Sequence, residues 1–216
     1  MSRRVTLFHS PNTRSSAALT LLHELGADFE LHVLNMKAGE QRQPAYLAVN
    51  PMGKVPAILH EGALVTEQVA VFLYLADLWA EARLAPGIVN DPLRGPYLRW
   101  MAIYGSSFEP ALVDRAMKRD GGASSMSVYG DFDTLLKTIT DQLAQGPWIL
   151  GSRFTAADVL WGTGLAWTTG FGIVPKLPVI MDYVARVGAR PSVAKVREFD
   201  AALADKHAAS AATTAG

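Results

Sequence analysis

Every strand-like segment of this chain lies within its first 65 residues, and no strand pattern occurs beyond them. The segments RVTLF, FELHVLN, AILH and ALV are rich in β-branched, aromatic or large apolar residues and are bounded by turn formers. Between the first two, SPNTRSS supplies the polar turn and capping residues of a helix start. The helix that follows places Ala18, Leu21, Leu22 and Leu25 on one face, and Gly26 stands where it would stop. AILH and ALV are separated only by Glu61 and Gly62, a connection suited to a tight antiparallel hairpin. A further helix then carries Val69, Phe72, Leu73 and Ala76 on one face. The predicted order is βαβ, an irregular stretch with a turn or two of helix around Tyr46, then ββα.

Residues 81–92, EARLAPGIVNDP, contain two prolines and a glycine without periodicity and read as a linker. Helical patterns follow over roughly 93–118, 125–145, 155–169, 177–189 and 191–205, ahead of an alanine- and threonine-rich tail. Alternating strands and helices followed by helices alone predict an α/β domain over 1–80, a linker over 81–91 and an all-α domain over 92–216.

The 216 residues, half of them apolar, suffice for one large core or two modest ones. Lys plus Arg and Asp plus Glu balance at 20 each, so overall charge gives no reason to expect nucleic acid or an anionic membrane as partner; a small molecule is expected. There is no cysteine, which excludes disulfides, thiolate metal sites and a protein thiol nucleophile, so any thiol chemistry must use a sulfur brought by a ligand. MSRRVTLFHS is too short in apolar residues for a signal-peptide core, and no run of about 18 apolar residues occurs. A cytoplasmic protein without a metal is expected.

Four stretches in order, VTLFHSPNTRSS, NPMGKVPAIL, TEQVAVFLYLAD and GSRFTAADVLWGTGLAW, together resemble the cytosolic glutathione S-transferases over nearly the whole chain, in a bacterial serine-type, theta-like or related class. The resemblance implies a thioredoxin-like first domain with a mixed four-stranded sheet, a helical second domain, glutathione as co-substrate and a homodimer. The dimer would set the edge of the first domain against helices four and five.

The residues have their own physical reading. Pro56 cannot donate to a ladder, and Val55 before it is pushed toward extended geometry, so the pair can turn the Val55 N–H and C=O outward, where a peptide-like ligand can add as a strand. Taken alone, a trans proline capping an edge strand is the favoured reading, since X-Pro bonds are mostly trans; the resemblance implies a cis Pro56. Glu67 and Gln68 open a helix, where amide donors and the dipole favour a carboxylate, although ordinary capping by Thr66 is equally open. The resemblance implies that Gln68 holds the α-carboxylate of the γ-glutamyl group and Glu67 meets its ammonium. The family usually has serine where this chain has Gln68. Lys54, by charge, and Gln41, by position, are implied for the glycyl carboxylate, though Gln41 also reads as a solvated loop residue.

A thiol with pKa near about 8.5 is mostly protonated at neutral pH, so a transferase must supply a donor to its thiolate. In serine-using relatives the hydroxyl stands four residues before an arginine in this turn, as Ser10 stands before Arg14. Ser10 is the first candidate, with Thr13 and Asn12 next; capping of the helix is the competing reading for Ser10 and Thr13. Phe8 lacks the hydroxyl of tyrosine-using relatives, and the cysteine-using branches are excluded by composition.

In the second domain, Thr155 and Asp158 form a capping box and Phe154 is expected to staple to Val159, so Asp158 is read as a folding residue. Tyr104 and Phe108, with Trp167 and Phe171 behind them, are the candidate wall for a hydrophobic electrophile, although such a stripe is more often core. The expected reaction is conjugation of glutathione to a hydrophobic electrophile. A noncatalytic glutathione-binding, carrier or stress-response protein of the same fold is the alternative, as is a glutathione-dependent disulfide reductase.

Overall fold

A computed structural model describes residues 3–214, with side chains through residue 210. The strands are β1 (Val5–His9), β2 (Phe29–Val33), β3 (Ala57–His60) and β4 (Ala63–Val65). The α-helices are α1 (Arg14–Leu25), α2 (Pro44–Leu47), α3 (Gln68–Leu78), α4 (Arg94–Ile103), α5 (Glu109–Ala116), α6 (Phe132–Leu143), α7 (Ala156–Gly170), α8 (Pro178–Gly188) and α9 (Pro191–Thr214). A π-helical turn, Tyr104–Phe108, joins α4 to α5. Among the described residues no helix is long and apolar enough to cross a membrane, and no group of three or more side chains is suited to hold a metal.

The sheet is mixed and runs β2-β1-β3-β4. β1 is parallel to β2, pairing Leu7 with Leu31, and antiparallel to β3, pairing Leu7 with Ile58. Val5, Leu7, Phe8 and His9 are all buried, as a central strand covered on both faces requires. The β3–β4 hairpin turns at Glu61 (φ 49°) and Gly62 (φ 82°); positive φ at both positions is the turn whose twist matches its strands. In α1, Ala18, Leu21, Leu22 and Leu25 are buried, Thr13 is the N-cap, and Gly26 closes the helix at φ 61°.

The chain forms two compact units, one made of residues up to Ala82 together with those from Pro191, the other Arg83–Arg190. This differs from the expected 92–216 helical domain, because α9 packs along α1 and belongs with the sheet. The apolar stripe of α9 contains Val196, and two polar residues, Ser192 and Asp200, are buried on the same face. The helix also continues to Thr214 rather than ending near 205, in keeping with the helix preference of alanine. The helix expected from 125 starts instead at Phe132, where the Asp131 carboxylate accepts the Thr134 N–H at 2.8 Å.

The Arg83–Arg190 unit is built around α7. Trp161 lies edge-on to Trp100 and Tyr104, with centroids 5.6 and 5.1 Å away. Gly162 lets α8 come close, since a Cβ there would meet the Val187 side chain at about 2.5 Å. At the start of α7, Asp158 is fully buried and accepts four hydrogen bonds. They come from the Thr155 N–H (2.8 Å), the Thr155 hydroxyl (3.2 Å), the Ile149 N–H (2.7 Å) and the Tyr183 hydroxyl (2.8 Å). Phe154, expected to reach Val159, meets Trp148 edge-to-face at 4.8 Å and lies under the Arg190 guanidinium at 3.7 Å.

Candidate active site

The segment Lys54–Pro56 enters β3 with a cis Val55–Pro56 peptide. Two buried side chains hold it. The Tyr46 hydroxyl and the Asn50 amide both donate to the Lys54 carbonyl, at 2.6 and 2.9 Å. Burial raises the Tyr46 hydroxyl above its usual pKa, only partly opposed by Asn50, which keeps the donor proton in place. Among the described residues no hydrogen bond engages the N–H or C=O of Val55, which is half-buried. Gly53, at φ 60°, permits the approach of the preceding loop, for a Cβ there would lie 2.7 Å from the Gln41 carbonyl. Gln41 is thereby set beside the loop that carries the exposed Lys54.

At the next chain turn, Glu67, not Thr66, is the N-cap of α3, and no side chain caps the helix. Glu67 has φ 62° and ψ 119°, an unfavourable backbone conformation for a residue with a Cβ and of the kind that gathers at ligand sites. The Gln68 amide donates to the Arg14 carbonyl at 3.2 Å, tying the start of α3 to the start of α1. Its oxygen is buried without a donor, and so is that of Gln41. A buried amide oxygen left unpaired costs about 1–3 kcal/mol, so both face positions where a ligand donor is favoured.

The turn between β1 and α1 carries the remaining candidates. Ser10 is 3% exposed, and no hydrogen bond among the described residues uses its hydroxyl. The Thr13 hydroxyl donates to the Ser10 carbonyl at 2.7 Å and lies 2.7 Å from Ser15 Oγ. Asn12, exposed and at φ 57°, gives its N–H to Asp200 at 2.9 Å. Asp200 also accepts from the Ser16 hydroxyl and pairs with His9 Nε2 at 3.0 Å, while His9 Nδ1 meets Ser15 Oγ at 2.9 Å.

His9, Ser15 and Asp200 were missed by sequence reasoning. The available signal was an acid on the buried stripe of α9, four residues beyond Val196. Burial opposes charge on Asp200, but the bonds from His9, Ser16 and Asn12 outweigh it and hold the carboxyl below its usual range. The stability this provides is complete above the ordinary Asp value of about 3.9 and is lost as pH falls through the depressed folded-state value. Denaturant titrations of the native chain and Asp200→Asn are therefore expected to differ at neutral pH and to converge in acid. A difference that persists unchanged in strong acid would show that the charge is not its source.

The four aromatic candidates of the helical unit divide. Tyr104 and Phe108 are buried against Trp161 and each other, with centroids 4.9–5.4 Å apart. Trp167 and Phe171 are 45% and 65% exposed and stack edge-on at 5.1 Å.

A mixed sheet in the order β2-β1-β3-β4, entered by a cis-proline strand and followed by an all-helical unit, defines a thioredoxin-like protein with a helical extension. Residues 3–77 match the family model for the N-terminal domain of glutathione S-transferases. The chain is 31% identical to glutathione S-transferase GstA of Escherichia coli O157:H7, covering 87% of this chain and 94% of that one. It resembles the crystal structure of a glutathione transferase from Methylococcus capsulatus with a TM-score of 0.77 at 31% identity, covering 91% of this chain and 98% of that one. A sphingomonad glutathione S-transferase complexed with glutathione gives a TM-score of 0.75 at 30% identity, with the same coverage of both chains. The chain belongs to the glutathione S-transferase family and is a glutathione transferase.

Proposed function

We propose that this chain binds glutathione along the Val55 edge and conjugates its thiolate to hydrophobic electrophiles. The observation that carries the reading is the set of unused backbone and amide groups in the sheet-containing unit: the Val55 N–H and C=O and the Gln68 and Gln41 oxygens. The cysteinyl backbone of glutathione adds at Val55 as a further strand, with Lys54 and Gln41 serving the glycyl end. Gln68 plays a different part from the one its position implies. One of its two amide N–H groups is given to Arg14 and its oxygen is buried without a donor, so that oxygen accepts from the γ-glutamyl ammonium, while the uncapped first turn of α3 receives the α-carboxylate and Glu67 adds negative charge for the ammonium. Holding the thiol in place and stabilising its thiolate supply proximity and an activated nucleophile. The homodimer is part of the same proposal, and sedimentation equilibrium tests it.

The decisive experiment follows glutathione consumption with a chlorinated nitroaromatic, comparing glutathione with its analogue lacking the γ-glutamyl amino group. Turnover with glutathione is expected, together with a KM for the analogue at least about tenfold higher, the loss appropriate to one charged hydrogen bond. Equal KM values would remove the role given to Gln68. Glutathione binding without turnover across a panel of electrophiles would favour a carrier.

A further inference from the structure

Ser15, His9 and Asp200 stand in the order hydroxyl, imidazole, carboxylate, linked at 2.9 and 3.0 Å. All three are buried, Ser15 and His9 completely, so the hydroxyl is closed to an outside substrate and the arrangement acts on the turn around it. Each hydroxyl there has one proton to give, and its placement follows from Asp200. A carboxylate only accepts, so the hydrogen bond to His9 requires the imidazole proton on Nε2. In the neutral ring Nδ1 is then an acceptor, and the Ser15 proton must point to it. Ser15 Oγ in turn accepts the Ser10 N–H at 3.1 Å. The Thr13 proton is taken within the turn, by the Ser10 carbonyl or by Ser15 Oγ, each 2.7 Å away, and the Ser16 proton goes to Asp200. Of the hydroxyls at Ser10, Thr13, Ser15 and Ser16, only that of Ser10 keeps its proton for a ligand.

We propose that Asp200, through the tautomer of His9, is a positioning residue that makes Ser10 rather than Thr13 the hydroxyl donor to the glutathione thiolate. Without the carboxylate the ring can carry its proton on Nδ1 and donate to Ser15. The Ser15 proton then turns to Thr13 Oγ1, 2.7 Å away, or to the Ser10 carbonyl, 3.2 Å away, so that Thr13 loses Ser15 as an acceptor and shares the carbonyl, and its own proton is freer to turn to a ligand. Helix α9 thus sets the polarity of the turn between β1 and α1. The inference rests on the reading of this turn as the thiol-activating element.

The test is a double-mutant cycle in the full chain, scored by kcat for conjugation and by ultraviolet titration of the bound thiolate. Ser10→Ala alone is expected to lower kcat about tenfold or more and to raise the bound thiol pKa by about one pH unit, as loss of a charged hydrogen bond requires. In the Asp200→Asn background the same substitution should cost less than about threefold, because Thr13 now shares the role. Asp200→Asn by itself should change kcat more than the KM for glutathione, with the bound thiol titrating at higher pH. A purely structural Asp200 would lower the melting temperature and leave the Ser10→Ala ratio as it was, which would overturn the proposal. His9→Leu removes the acceptor for Ser15 but keeps the Asn12 and Ser16 bonds to Asp200; if Asp200→Asn does not fold, His9→Leu must weaken the Ser10→Ala effect in the same way, and an unchanged ratio overturns the proposal. If Ser10→Ala is silent in the native background, the thiol-activating role of Ser10 fails and the proposal falls with it; an effect equal in both backgrounds rejects the proposal alone.

Discussion

Replacing Ser10 with alanine is expected to lower the rate of glutathione conjugation at neutral pH by about one to two orders of magnitude, the kinetic equivalent of the 1.5–3 kcal/mol of a hydrogen bond to a charged group. The unengaged Ser10 hydroxyl is buried, and a donor in such surroundings is worth more to a thiolate than one in water. A free thiol near pKa 8.5 is only a few per cent ionised at pH 7, so losing the donor costs mainly thiolate population at that pH. Raising the pH should then restore part of the rate in the variant and little in the native chain. A Ser10→Ala rate equal to native at every pH would move the donor role to a backbone amide of the turn or to Thr13. A loss that alkali does not recover would point to misplacement of the thiol rather than to its ionisation.

Asp158→Ala is expected to be the most damaging single change to stability, by about 3 kcal/mol or more, measured by denaturant unfolding. Four donors converge on this buried carboxylate, and alanine would leave the Ile149 N–H and the Tyr183 hydroxyl buried with no acceptor. Each such orphan costs about 1–3 kcal/mol, and the lost helix cap adds about 1 kcal/mol. Burial pushes the Asp158 carboxyl up against the effect of its own hydrogen bonds and raises the Tyr183 hydroxyl well above its usual range. Asp158→Asn retains one oxygen and should cost less than alanine. A loss near 1 kcal/mol for alanine would mean that only the cap is felt and that Ile149 and Tyr183 find other partners.

What the sequence disclosed was local. The alternation of strand and helix, the Glu61–Gly62 hairpin, the Gly26 stop and the Thr155–Asp158 box are written in neighbouring residues, and the structure shows each of them. The cis peptide at Pro56 was implied by resemblance and is present. The placement of α9 was not legible, because the residues that draw it to α1 are long-range partners: His9 and Asp200 lie 191 positions apart. Nor was the direction of Gln68, since only the fold brings the Arg14 carbonyl to its N–H and leaves its oxygen without a donor. The aromatic stripe at Tyr104 and Phe108 had the periodicity of core and of a pocket wall alike; packing against Trp161 separates it from Trp167 and Phe171, which periodicity could not do.

The return of α9 has a consequence for how the chain is made. Synthesis delivers the sheet first, yet the carboxylate that closes on His9, Asn12 and Ser16 follows 191 positions after that histidine. The whole Arg83–Arg190 unit is free to form in the interval, as domains fold in order of emergence. Throughout that time the nascent βαβ-ββα segment carries an α1 surface still without its partner helix and a buried imidazole still without its carboxylate. The sheet is therefore made before the helix that completes its unit, and a ribosome-bound chain halted after Ala82 would hold a sheet without the tie that fixes the turn between β1 and α1.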